Sequence, residues 1–92
     1  MTEPFVSITV CVRDGAHWIA GCLDALIAQT YPSFEILVVN DGSTDDATSV
    51  LEPYHDPEGV NGVPLRVHHQ APLGLSAGRQ WAVEHAKGHW VA

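Results

Sequence analysis

Phe34-Glu35-Ile36-Leu37-Val38-Val39-Asn40-Asp41-Gly42-Ser43-Thr44-Asp45-Asp46 is the stretch that decides the fold. Its run from Phe34 to Val39 is rich in β-branched and aromatic residues, as a buried strand is. Asp41-Gly42 marks a turn, because glycine accepts backbone angles that other residues avoid. Ser43 is placed to cap a following helix, and Asp46 three residues on completes a Ser-x-x-Asp variant of the capping box. Asp45 and Asp46 then fall in the first helical turn, where negative charge suits the helix dipole. Asp41 lies just past the carboxyl end of a central strand, where open parallel sheets bind their ligands. Neither the turn nor the cap demands a carboxylate there. Asp41 is therefore a candidate ligand group, although aspartate is also at home in turns.

Upstream, Phe5 to Val12 reads as a first strand whose near-continuous apolar character suits a central parallel position. Arg13-Asp14-Gly15-Ala16 breaks the run, with Asp14 a candidate helix N-cap. From His17 to about Ala28, the residues Trp18, Ile19, Cys22, Leu23, Leu26 and Ile27 recur at helical spacing, and Tyr31-Pro32-Ser33 closes that helix. Downstream, a second helix is expected from about Thr44 to Tyr54, then a surface loop over Asp56 to Gly62. Leu65 to His69 forms a third strand. A third helix covers about Leu75 to Ala86, with Ser76 near its start and Gly88 as its C′ residue. His89 to Ala92 opens a fourth strand. The order βαβαβαβ predicts a three-layer, Rossmann-like α/β fold with a parallel sheet and right-handed crossovers. The fourth strand is expected beside the first, across the switch point.

With 92 residues the chain holds one domain at most. The net charge of −7 rests on only four basic residues, Arg13, Arg66, Arg79 and Lys87. This argues against nucleic acid as a partner, because phosphate neutralisation needs clustered Lys and Arg. An anionic membrane surface is disfavoured for the same reason. No apolar run is long enough to span a bilayer, and Met-Thr-Glu-Pro lacks a basic leader, so a cytoplasmic location is expected. Cys11 and Cys22 have no metal-site spacing and read as reduced core residues.

Much familiar chemistry is missing. No Gly-x-Gly-x-x-Gly follows the first strand, no phosphate loop carries a lysine, and no serine sits in a nucleophile elbow. The six histidines are scattered, and His68 and His69 point to opposite faces of a strand. What remains is a set at the strand ends: Cys11 and Arg13 after the first strand, Asp41 after the second, and Arg79 on the helix after Pro72-Leu73-Gly74-Leu75-Ser76. A carboxylate at Asp41 can accept from a ring N–H or a ribose hydroxyl. A guanidinium at Arg79 can offer its fork to a phosphate or a base carbonyl.

These residues resemble a family. Ser7-Ile8-Thr9-Val10-Cys11-Val12-Arg13-Asp14, Cys22-Leu23-Asp24-Ala25-Leu26, Gln29-Thr30-Tyr31-Pro32, Glu35 to Asp45, Gly74-Leu75-Ser76-Ala77-Gly78-Arg79 and Glu84 to Ala92 are similar, in order, to the start of the family 2 glycosyltransferases. The resemblance implies the N-terminal half of the GT-A fold of nucleotide-diphospho-sugar transferases. It also implies transfer of a sugar from a nucleotide-diphosphate donor to an acceptor hydroxyl, usually with inversion. By the same resemblance Cys11, Arg13, Asp41 and Arg79 are nucleotide-binding, with Cys11 and Arg13 against the base and Asp41 hydrogen-bonded to it. The family usually has Pro-Val-Tyr-Asn where this chain has Cys11-Val12-Arg13-Asp14, so Arg13 replaces a stacking aromatic. Asn40 replaces a common Asp, and Gln80 a common Asn.

The family's Asp-x-Asp metal ligands follow the fourth strand, and the sequence stops at Ala92. The expectation is a single partial domain over residues 1–92, with no catalytic or metal residues of its own and inactive alone. Mn2+ or Mg2+ is expected only in the full-length enzyme. The partner expected is a nucleotide-diphospho-sugar, with self-association through an exposed sheet edge. Two alternatives stand beside the transferase. One is a non-catalytic module of the same fold that binds a nucleotide or a protein. The other is a flavodoxin-like signalling domain with Asp14 and Asp41 in an acidic pocket, against which the lack of a late strand-end lysine counts.

Overall fold

The computed structural model describes residues 5–29, 33–60 and 62–88, and the backbone of 90–91. Four parallel strands make one sheet: β1 (Val6–Val12), β2 (Phe34–Asp41), β3 (Leu65–Gln70) and β4 (Trp90–Val91), in the order β3-β2-β1-β4. The register runs from Val6 against Phe34 to Val12 against Asn40, and from Ile36 against Leu65 to Asp41 against Gln70. Val6 also pairs with Trp90, which puts the fourth strand beside the first as the sequence predicts. Between the strands run α1 (Ala16–Ile27), α2 (Ala47–Leu51) and α3 (Leu75–His85).

All eight residues of β2 are buried, which explains its apolar run from Ile36 to Val39. Its side chains alternate between two faces. Phe34, Ile36 and Val38 join Val12, Leu65, Ile19 and Leu23 of α1 and Leu51 of α2 in one cluster. Leu37 and Val39 point the other way, where Gly78 and Ala82 of α3 are buried. Each fully buried aliphatic side chain contributes about 1.5–3 kcal/mol, so this two-sided strand carries much of the core.

Several local readings change. Strand β2 runs on through Asp41, so this residue ends the strand rather than following it. Helix α2 starts at Ala47, not Thr44, and ends in a single 3-10 turn over Glu52–Tyr54, where Pro53 has no amide to donate. Asp45 and Asp46 therefore precede the helix instead of lying in its first turn. The predicted capping box does not form. Ser43 Oγ donates to Asn40 Oδ1, and Asp45 Oδ1 accepts the Ala47 amide at 2.9 Å. Asp14 does not cap α1 either; the N-cap is Gly15, without a side-chain bond. Trp18 is 41% exposed, because it lies over Gly15 at the start of α1 rather than in the core.

Gly88 is not a helix C′ residue. Helix α3 ends in an extended Ala86, and the Gly88 amide donates to Ser7 Oγ at 2.9 Å. A Cβ at Gly88 would come within 2.7 Å of the Ser7 nitrogen, so glycine there lets the chain enter β4 close against β1. Tyr31 and Pro32, expected to close α1, lie outside the described residues, as does His89.

One group the sequence reading passed over sits in the middle of the sheet. Glu35 is 2% exposed. Its carboxylate accepts from Ser7 Oγ at 2.6 Å, from the Lys87 amide at 2.7 Å and from Arg66 Nη2 at 3.2 Å. Burial pushes its pKa up, but these donors together outweigh burial and hold it below the ordinary value. Glu35 thus ties β1, β2, β3 and the approach to β4 together at the amino end of the sheet, away from the carboxyl ends of the strands.

Candidate functional site at the carboxyl ends of the strands

The carboxyl ends of β1 and β2 open into a pocket of about 150 Å³, lined by Cys11, Val12, Arg13, Val39, Asp41, Gly74, Leu75 and Gly78. Three of the four residues selected from the sequence line it: Cys11, Arg13 and Asp41. Arg79 does not. It follows Gly78 on α3, is exposed, and reaches the pocket only through its charge, which opposes the rise in the Cys11 pKa. That rise comes first from burial of the half-buried thiol, with the Asp41 carboxylate adding to it. Gly78 sets the depth of the pocket, since a Cβ there would stand 3.1 Å from Val39 and 3.2 Å from Cys11 Sγ.

Asp41 is mostly buried, and its oxygens are unequally used. Oδ1 accepts from Gln70 Nε2 at 2.8 Å, from the Leu73 amide at 2.9 Å and from the Gly74 amide at 3.3 Å. Among the described residues, Oδ2 accepts the shared Gly74 amide alone, at 3.2 Å. The Gln70 bond above all holds the Asp41 pKa below its ordinary value; burial opposes this, and the two amides and the Arg13 charge reinforce it. Asp41 is therefore a carboxylate with one oxygen occupied by the β3–α3 loop and one with acceptor capacity left beside the pocket.

The three strand-end loops are tied to one another. Gly42, at φ 64, lets the chain turn against Pro72; a Cβ there would sit 2.6 Å from Pro72 Cδ. Asp14 adopts φ 54, a left-handed backbone rarely taken by a residue with a side chain. Its amide donates to Ser43 Oγ at 3.0 Å. Its Oδ1 accepts the Thr44 amide at 2.6 Å, Thr44 Oγ1 at 3.0 Å and the Asp45 amide at 3.3 Å. In return Asp45 Oδ2 accepts the Ala16 amide at 3.0 Å, at the first residue of α1. Each aspartate thus serves the loop of the other. Sequence spacing could not show this, since the partners are 29 to 31 residues apart.

Asn40 adds a bridge on the other face. Its Nδ2 donates to Thr48 Oγ1 at 3.0 Å and to His69 Nδ1 at 3.1 Å. His68 faces α3 instead and stacks on Trp81 with centroids 4.3 Å apart, so the two histidines do point apart as read from the sequence. Among the described residues no three His, Cys, Asp or Glu side chains converge to hold a metal ion. No described helix is long and apolar enough to cross a membrane.

Strand order, crossovers and likeness to solved structures define a Rossmann-like GT-A nucleotide-sugar transferase fold, with the pocket at the carboxyl ends of β1 and β2. The chain belongs to glycosyl transferase family 2, which it matches over residues 7–92. It is 36% identical to the putative glycosyltransferase EpsH of Bacillus subtilis (strain 168), over 100% of this chain and 26% of that protein. It is 38% identical to the uncharacterized glycosyltransferase YibD of Escherichia coli (strain K12), over 77% of this chain and 20% of the other. In structure it is similar to the mannosyltransferase PcManGT of Pyrobaculum calidifontis, solved with GDP-Man and Mn2+, with a TM-score of 0.86 at 26% identity over 99% of this chain and 27% of that one. It is also similar to S. aureus TarS 1-349, with a TM-score of 0.79 at 28% identity over 95% of this chain and 26% of that chain. The chain thus spans about a quarter of the length of these relatives.

Proposed function

We propose that these 92 residues form the donor-nucleotide half-site of a glycosyltransferase. The longer protein would pass a sugar from a nucleotide diphosphate to an acceptor hydroxyl with inversion. The observation that carries this reading is the half-engaged Asp41 carboxylate, which keeps one oxygen in reserve beside a pocket walled by Cys11 and Arg13. The likeness to a mannosyltransferase solved with GDP-Man and Mn2+ supports it.

In this reading Asp41 Oδ2 accepts an N–H of the base. Cys11 and Gly78 give the base a flat apolar floor. The Arg13 guanidinium lies over the ring face, in the role an aromatic would otherwise fill. Arg79, exposed at the first turns of α3, meets the diphosphate as it leaves the pocket. Donor binding here is a positioning step, which holds the leaving group in place for attack. A divalent cation would neutralise charge on the leaving diphosphate in the longer protein. Among the described residues no three His, Cys, Asp or Glu side chains converge to hold it. These residues alone are accordingly proposed to bind donor without transferring its sugar.

Calorimetric titration with UDP, GDP and dTDP tests the reading. Saturable binding of at least one supports it and names the base. Absence of heat with all three at millimolar concentration removes it.

A further inference from the structure

The left-handed backbone at Asp14 calls for an explanation, because such a conformation in a residue with a side chain persists only where its surroundings over-determine it. Four hydrogen bonds do so here: one from the Asp14 amide to Ser43, and three into Asp14 Oδ1 from Thr44 and Asp45. Asp45 closes the loop of contacts by receiving the Ala16 amide. Arg13 stands directly between this clasp and the end of β1, where Val12 is paired with Asn40. Its backbone is fixed on both sides. The left-handed turn at Asp14 takes the chain away from the strand direction just after Arg13 and leaves Arg13 on the pocket wall.

We infer that Asp14 is a positioning residue for the donor site. Through its clasp on Thr44 and Asp45 it sets the wall made by Cys11, Val12 and Arg13, without touching the ligand itself. For its functional meaning this inference rests on the donor-site reading given above. The work is done by an acceptor oxygen in a left-handed backbone, not by net charge. Asparagine offers the same oxygen and tolerates the same backbone, glycine offers the backbone without the oxygen, and alanine offers neither.

The test compares the 92-residue chain with Asp14→Asn, Asp14→Gly and Asp14→Ala in two readouts. The first is the Kd of whichever of UDP, GDP and dTDP the parent chain binds. The second is the rate at which Cys11 reacts with an aromatic disulfide, resolved from Cys22 by mass spectrometry of the peptides. It needs no nucleotide. Asp14→Asn should keep both within about threefold of the parent, while Asp14→Gly and Asp14→Ala raise the Kd about tenfold or more and quicken Cys11 several-fold. Weakening in Asp14→Ala but not Asp14→Gly would assign the effect to backbone strain and overturn the inference. Equal weakening in Asp14→Asn would assign it to charge and overturn it as well. If the parent binds none of the nucleotides, the donor-site reading fails while the thiol rates still decide the clasp: unchanged rates in Asp14→Gly overturn it, and quickened rates rescued in Asp14→Asn uphold it.

Discussion

The Leu73 amide donates to Asp41 Oδ1 at 2.9 Å, so the last residue of β2 holds the loop that leads into α3. The candidate ligand group is thereby also a structural tie, and its two oxygens divide the roles. Substitutions can separate them. Asp41→Asn retains one carbonyl oxygen, which the Leu73 and Gly74 amides will claim, and turns an NH2 toward the pocket. It should leave amide exchange at Leu73 and Gly74 close to that of the parent while weakening nucleotide binding about tenfold or more. Asp41→Ala should accelerate that exchange and weaken binding together. Exchange and affinity that move in step in both variants would refute the division.

Glu35 is expected to be the most costly surface-distant acid to remove. Glu35→Ala strands the Ser7 hydroxyl, the Lys87 amide and Arg66 near a buried position, and should cost about 2–3 kcal/mol. Its folded pKa lies below the ordinary carboxylate value, so its contribution is fully present above that value and is lost as the pH falls through the folded pKa. Urea unfolding of parent and variant should differ clearly at neutral pH and converge in strong acid. A gap that stays constant across that range would contradict the assignment.

Gly42 is predicted to tolerate no side chain. Its φ of 64 and the 2.6 Å approach of a Cβ to Pro72 make Gly42→Ala destabilising by about 1–3 kcal/mol, measured by urea unfolding. An unchanged midpoint would show that the two loops do not meet as described.

His68 makes stability depend on pH in the opposite way to a salt-bridged histidine. Burial first, and then the charges of His85 and His69, lower its pKa from the ordinary 6.5. The unfolded chain therefore takes up the proton first. Stability is greatest above 6.5 and declines as the pH falls toward the folded pKa. His68→Phe keeps a ring against Trp81, which also stacks on His85, and removes the titration. Urea midpoints at pH values on either side of 6.5 should lie closer together in the variant than in the parent. Equal spacing in both would assign the acid sensitivity elsewhere.

The sheet was legible because its signal is periodic and strong. A short, largely apolar and β-branched run over Phe34–Val39 in a βα alternation reads as a strand buried on both sides, and the place of the fourth strand beside the first followed from that alternation. Three of the four candidate residues line one pocket for a related reason: in a parallel sheet the residues that end strands meet in one place. Arg79 is outside the pocket lining because helical spacing does not tell which way an exposed side chain near Gly78 will face. Asp14 and Ser43 were read as local caps, and Asp45 as a first-turn charge suited to the helix dipole. Capping rules weigh neighbours in sequence, whereas these side chains satisfy amides about 30 residues away in an adjacent loop. Glu35 was hidden by its neighbours, although a lone acid inside an apolar run was the visible sign that a buried donor set awaited it.

The measurement that bears most directly on the central claim is an amide chemical-shift map of this chain as UDP, GDP and dTDP are added in turn. A nucleotide seated at the carboxyl ends of β1 and β2 should perturb Cys11 to Asp14, Asp41 and Gly74 to Arg79, and leave the cavity beside His55 and His69 unmoved. Saturable shifts centred on that second cavity, or spread with no focus at the ends of β1 and β2, would contradict it.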